Sequence, residues 1–200
     1  MAYERFDANN AAVLLIDHQV GTMSWVKSIA FDEMKGNALL LARLASICKL
    51  PVVLTSSMEE HAQGPLLAEL AEILPDAFRA RIKRHGVVNA MDDENFAAAV
   101  RATRRSKLIL AGVTNDICTV YPALSLVGEG FAVQVVADAG GSPTRMSDDI
   151  ALRRMEQAGV TLTSTNQLVA EVVGNWTTPE GGQLAQLMIA RVEAEVARSG

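Results

Sequence analysis

Cysteine, histidine and strong net charge are all scarce in this 200-residue chain. Its two cysteines, Cys48 and Cys118, are too few for a disulfide framework or a structural zinc site. Its three histidines, His18, His61 and His85, form no H-E-x-x-H motif or close pair, so a metal centre lacks ligands and none is expected. A formal net charge of -5 gives no support to binding of nucleic acid or an anionic membrane. No apolar run is long enough to span a bilayer. The opening MAYERFDANN shows no basic-then-apolar leader pattern, and a cytoplasmic chain is expected. Three glycine motifs are also missing. No G-x-G-x-x-G follows the first apolar run, which speaks against a dinucleotide site, and neither G-x-x-x-x-G-K-[ST] nor G-x-S-x-G occurs. No cofactor is expected. Without repeats, low-complexity tracts or linkers, residues 1–200 read as one domain.

Half of the residues are hydrophobic, enough for a sizeable core. They fall into alternating strand and helix patterns. Apolar runs at Ala11–Ile16, Pro51–Leu54, Leu108–Ala111, Phe131–Ala137 and Val160–Thr163 read as strands, and a further strand is expected to end within His85–Ala90. Helical spacing covers Asp32–Lys49, Leu66–Leu74, Asp92–Arg105, Ser147–Gln157 and Gln167–Val173, and Val20–Ile29 is a loop or short helix. Pro75 stops the helix before it. Near-continuous apolar strands separated by helices predict an α/β fold, a mostly parallel six-stranded sheet covered on both faces. Beyond Pro179, Leu184, Leu187, Met188, Val192 and Val196 make one stripe on a terminal helix over about 180–198. Such a stripe docks either on its own domain or on a partner subunit.

The segment KLILAGVTNDICTVYP, Lys107–Pro122, organises the rest. It reads as strand, polar turn and helix, with Cys118 in the first helical turn, past the C-terminal end of the strand. Ligands bind at that edge of an open α/β sheet, and a helix N-terminus favours a thiolate and can hold an oxyanion. Cys118 is therefore a candidate nucleophile; the alternative is an inert buried thiol, the reading preferred for Cys48. Asp17 directly follows the first strand and is either a turn cap or a base. Arg79, Arg81, Lys83 and Arg84 form the densest basic patch, either a solvated face or a cation at a strand end. In the doubly wound strand order the first and fourth strands flank the switch point, which would bring Asp17 beside Cys118. A carboxylate can take a thiol proton, a cation can stabilise the thiolate, and backbone N–H groups near Thr114 and Cys118 can hold the oxyanion. Gln19, Trp25 and Asn115 are candidate substrate contacts; for Trp25, plain packing is the competing reading.

The segments AAVLLIDHQVG (11–21), LPVVLTSS (50–57), GPLLAEL (64–70), RHGVVNA (84–90), LILAGVTNDICTVYPAL (108–124) and EGFAVQVVADAGGS (129–142) resemble the isochorismatase-like cysteine hydrolases, especially the YcaC-like branch. The resemblance implies a three-layer α/β/α sandwich with strand order 3-2-1-4-5-6 and an acid–cation–cysteine triad. Asp17 matches the acid and Cys118 the nucleophile. Arg84 matches the cation by its spacing to Gly86 and Asn89-Ala90, with Lys83 as the alternative. A non-proline cis peptide is implied at Val113-Thr114. Metal-binding amidases of the superfamily carry Asp-x-His after the second strand; Ser56-Ser57-Met58-Glu59 stands there instead. The implied activity is hydrolysis of a small amide or related C–N bond, through a covalent thioester, in a homo-oligomer. Competing readings are a catalytically idle binding or assembly protein of the same fold, and a redox-active cysteine protein, although no second cysteine lies near Cys118 in sequence.

Overall fold

The computed structural model describes residues 4–199; the side chains at 194, 195, 198 and 199 lie outside the described residues, as do residues 1–3 and 200. The start of the stretch read for a leader, both ends of the 1–200 span, and part of the terminal helix therefore fall outside it.

Six parallel strands form one sheet: β1 (Ala11–Ile16), β2 (Val52–Ser57), β3 (Ile82–Arg84), β4 (Lys107–Gly112), β5 (Ala132–Val136) and β6 (Thr161–Thr163), in the order β3-β2-β1-β4-β5-β6. The helices are α1 (Val20–Ser24), α2 (Phe31–Ile47), α3 (Glu69–Ile73), α4 (Pro75–Arg79), α5 (Glu94–Ala102), α6 (Val120–Gly128), α7 (Arg145–Gln157), α8 (Thr165–Val173) and α9 (Pro179–Ser199).

The period-2 geometry of a strand sorts β1 between two cores. Ala11, Val13 and Leu15 face one side, with residues of α2 and α8, while Ala12, Leu14 and Ile16 face the other, with residues of α5, α6 and α7. Burying each large aliphatic side chain contributes ~1.5–3 kcal/mol. A strand apolar at every position is stable only when covered on both faces, and the result is a three-layer α/β/α sandwich. Both β1 and β4 are buried throughout. The chain winds outward from β1 in both directions, so the crevice lies between the carboxyl ends of β1 and β4.

Several boundaries differ from the sequence expectation. The third strand ends at Arg84 rather than within 85–90, because residues 85–89 turn away and Gly86 takes a positive φ of 86°. Strand β2 runs on through Thr55–Ser57, which pair with β3. Pro75 separates α3 from α4 but also occupies the first turn of α4, where its missing N–H costs nothing. Cys118 lies in a wide turn, Asn115–Thr119, just ahead of α6 and not within its first turn. The terminal stripe divides. Leu184 is buried and Leu187 and Met188 pack on the core, whereas Val192 and Val196 are exposed. No helix among the described residues is long and apolar enough to cross a membrane.

Candidate active site

Four strand ends converge on the crevice. Asp17 follows β1 in a left-handed conformation, φ 56°, with its N–H donating to the Thr55 carbonyl of β2 at 2.9 Å. Arg84 closes β3, two strands away, and reaches across β2. Its Nε donates to Thr55 Oγ1 (3.0 Å), its Nη1 to the Val87 carbonyl (2.6 Å), and its Nη2 to both carboxylate oxygens of Asp17. Both members of this ion pair are 1% exposed. Thr55 is thus the floor on which acid and cation meet, bonding one by its backbone and the other by its hydroxyl.

Neighbouring Lys83 points the opposite way, as alternation along a strand demands. It is half exposed and pairs with Glu59 (2.8 Å), which also accepts from Arg81 Nε (2.7 Å) and Ser56 Oγ (2.7 Å). The Glu59 carboxyl is held down to about 2, first by Arg81 and further by Lys83 and Ser56. The cation that meets Asp17 is Arg84.

The turn carrying Cys118 is held by the loop after β5. Asn115 N–H donates to the Gly141 carbonyl (2.8 Å) and Asp116 N–H to Ser142 Oγ (3.2 Å). The approach is close: a Cβ on Gly140 would sit 2.3 Å from the Gly112 carbonyl oxygen, so only glycine fits there. The Val113-Thr114 peptide is cis. The Cys118 thiol and the Asp17 carboxylate line the same cavity, and each bears on the other's ionisation. Burial pushes this thiol well above its ordinary range, and the charge and hydrogen bond of Asp17 push it further. Arg84 and the backbone N–H of Thr114 pull it part of the way back. Burial likewise raises the Asp17 carboxyl, against the pull of Arg84. These forces favour a neutral thiol at rest rather than a preformed thiolate. Next to Asp17 in the chain, His18 is fully buried and donates from Nε2 to the Ala139 carbonyl (2.8 Å); burial brings its pKa down to about 4.

Asp17, Arg84, Thr114 and Cys118 line one cavity of about 240 Å³. Trp25 joins them in its wall. Gln19 and Asn115 do not line it. The Gln19 side chain clamps backbone, accepting from Ser57 N–H (2.9 Å) and donating to the Ser57 and Gly64 carbonyls. Asn115 donates to the Ala137 carbonyl (3.2 Å) and Asp148 Oδ1 (3.1 Å). Sequence reading assigned no site role to Met58, Val87, Val88, Ile117 and Pro143, which also line the wall, as do Thr22, Ser57, Gln63 and Gly86. Ile117 carried a usable signal, an apolar residue directly before the candidate nucleophile in a polar turn. Val87 and Val88 carried none, because a strand was expected there. Among the described residues no group of three or more His, Cys, Asp or Glu side chains is arranged to hold a metal ion.

The isochorismatase domain model matches residues 11–167. The probable hydrolase YcaC of Escherichia coli strain K12 is 43% identical over 174 residues, 87% of this chain and 83% of that protein. The solved Escherichia coli YcaC, an octameric hydrolase of unknown specificity, superposes with a TM-score of 0.91 at 40% identity, covering 100% of this chain and 98% of the other. YcaC from Pseudomonas aeruginosa, solved with hexane-2,5-diol and covalent acrylamide, gives 0.91 at 39% identity with the same coverage. Fold, strand order and sequence agree, and the chain belongs to the isochorismatase-like hydrolase family, beside the YcaC proteins.

Proposed function

We propose that this chain is a cysteine hydrolase that cleaves a small amide or related C–N bond through a thioester on Cys118. One observation carries the reading. A thiol and a carboxylate, the latter locked by a buried arginine, line one cavity large enough for a small molecule. In the proposed cycle the sulfur attacks the carbonyl carbon as its proton passes to Asp17. The backbone N–H groups of Thr114 and Cys118 hold the oxyanion; one such donor is worth ~3 kcal/mol of transition-state stabilisation. Collapse breaks the C–N bond, and Asp17 returns the proton to the departing amine. Water, giving its proton to Asp17, then releases the acid from the thioester and the thiol is restored. Arg84 favours the ionised form of Asp17 between steps, against the effect of its burial. The covalent acrylamide in the Pseudomonas aeruginosa relative is consistent with a nucleophile in this fold.

Self-association is part of the proposal. The exposed side chains of Ile189, Val192 and Val196 share one face of α9, and the Escherichia coli relative is an octamer. The same face would also suit a catalytically idle assembly protein. Intact-mass measurement after mixing with a panel of small amides separates the two. The hydrolase reading predicts an acyl adduct on Cys118 and a loss of turnover of more than ~10³-fold in Cys118→Ala. No adduct and no turnover across the panel, with oligomers still formed, leaves the assembly reading.

A further inference from the structure

We propose that the cavity selects uncharged, largely apolar substrates and turns away those carrying a carboxylate. The proposal rests on the hydrolase reading of the site, and it follows from a count of charges. Trp25, Met58, Val87, Val88, Ile117 and Pro143 make most of the wall apolar; Thr22, Ser57, Gln63 and Thr114 are neutral, and the charged residues lining the cavity are Asp17 and Arg84. Those two are spent on each other. Every nitrogen of the Arg84 guanidinium already donates to the protein, Nε to Thr55, Nη1 to the Val87 carbonyl and Nη2 to Asp17. The nearest further cations along β3, Arg81 and Lys83, are held by Glu59 outside the wall.

A substrate carboxylate would therefore leave water for a site with no free cation, beside the Asp17 carboxylate. Desolvation and like-charge repulsion act in the same direction. A substrate cation gains little, because the Asp17 charge is already matched by Arg84. What the cavity can repay is apolar area. At about 240 Å³ it is larger than the roughly 150 Å³ engineered cavity that takes up benzene, so a carbonyl carrying a short aliphatic chain or one ring fits. The chemical class is thus a neutral amide, or a related neutral C–N compound, with a hydrocarbon substituent.

Iodoacetamide and iodoacetate provide a test, being alike in size and leaving group and different in charge. Their labelling rates at Cys118, read by peptide mass spectrometry, are compared with their rates toward 2-mercaptoethanol. The preference for the neutral reagent at Cys118 should exceed that of the free thiol by at least about tenfold, the factor equivalent to 1.4 kcal/mol. Val88→Lys, which puts a cation on an exposed part of the wall, should raise the iodoacetate rate relative to the iodoacetamide rate. A Cys118 preference equal to or below that of 2-mercaptoethanol overturns the proposal. In parallel, hexanamide should be turned over in preference to adipic acid monoamide, which adds a carboxylate to the same chain; the opposite order overturns the proposal. Failure to hydrolyse either amide counts against the hydrolase reading alone, since the labelling ratio still decides the substrate class.

Discussion

The surroundings of Cys118 and Cys48 are alike in burial and differ in what stands around the sulfur. Both sulfurs are partly buried, and both thiols are raised, first by desolvation and then by a carboxylate, Asp17 for one and Glu180 for the other. Around Cys48, at the end of α2, nothing offsets these effects, and the side chain packs on the core. Around Cys118 an arginine and a backbone N–H offset them, and a cavity gives a ligand access. Burial and a raised thiol therefore do not mark a nucleophile. On the proposed reading, the mark is a base that can take the proton together with a cation that holds the base in place. Arg84 and Lys83 repeat the lesson one residue apart. The same basic run supplies a buried partner for Asp17 and a surface partner for Glu59, divided by strand alternation alone.

The largest expected effect comes from removing the arginine that the Cys48 side lacks. Arg84→Leu strands the Asp17 carboxylate in a buried site and should cost about 3–5 kcal/mol in denaturant unfolding. Adding Asp17→Asn in the same chain should recover most of that loss, because the pair is then gone as a unit. A fully additive double variant would mean that the two side chains are not coupled.

A somewhat smaller effect belongs to His18, beside Asp17, which has no counterpart near Cys48. Its folded pKa of about 4 lies below the ordinary 6.5, so the unfolded chain takes up the proton first. The stability this histidine supplies is complete above pH 6.5 and is lost as pH falls toward 4. The full shift corresponds to about 3 kcal/mol. Glu59, held at about 2, adds its own loss only below about 4.5, outside the window from 6.5 to 4.5. Thermal melts of His18→Asn should show a flatter slope across that window, and an unchanged slope would contradict the assignment. The smallest effect is expected at Cys48 itself. Cys48→Ala should cost about 1 kcal/mol or less and leave kcat/KM unaltered. A substantial fall in kcat/KM would erase the contrast between the two thiols.

How much of this was legible in the sequence depended on how local the cause was. Strands β1 and β4 announce themselves as uninterrupted apolar runs, and with them the crevice between their ends. Strand β3 does not: Ile82-Lys83-Arg84 reads as part of a charged face, and its three residues are a strand only because β2 lies alongside. The turn at Cys118 was also hidden, since its shape is set by the loop 140–142 packing beneath it. Gln19 and Asn115 read as ligand contacts because they are polar and near the right strand ends. Their amide groups are instead taken up by distant backbone and by Asp148, which no short window of sequence reveals. Thr55 falls between these cases, a polar residue at the end of a buried strand, visible in the sequence but without an evident partner.

The pH dependence of Cys118 alkylation, in the wild type and in Asp17→Asn, bears most directly on the claim that acid and sulfur work as one unit. Burial raises the thiol first, the Asp17 charge raises it further and Arg84 lowers it, so removing the acid leaves burial opposed by the cation. The account predicts that Cys118 in Asp17→Asn alkylates at lower pH and faster at neutrality, while amide turnover falls by at least ~10²-fold for want of a proton carrier. A midpoint that stays where it was would show that the Asp17 carboxylate does not govern the Cys118 sulfur.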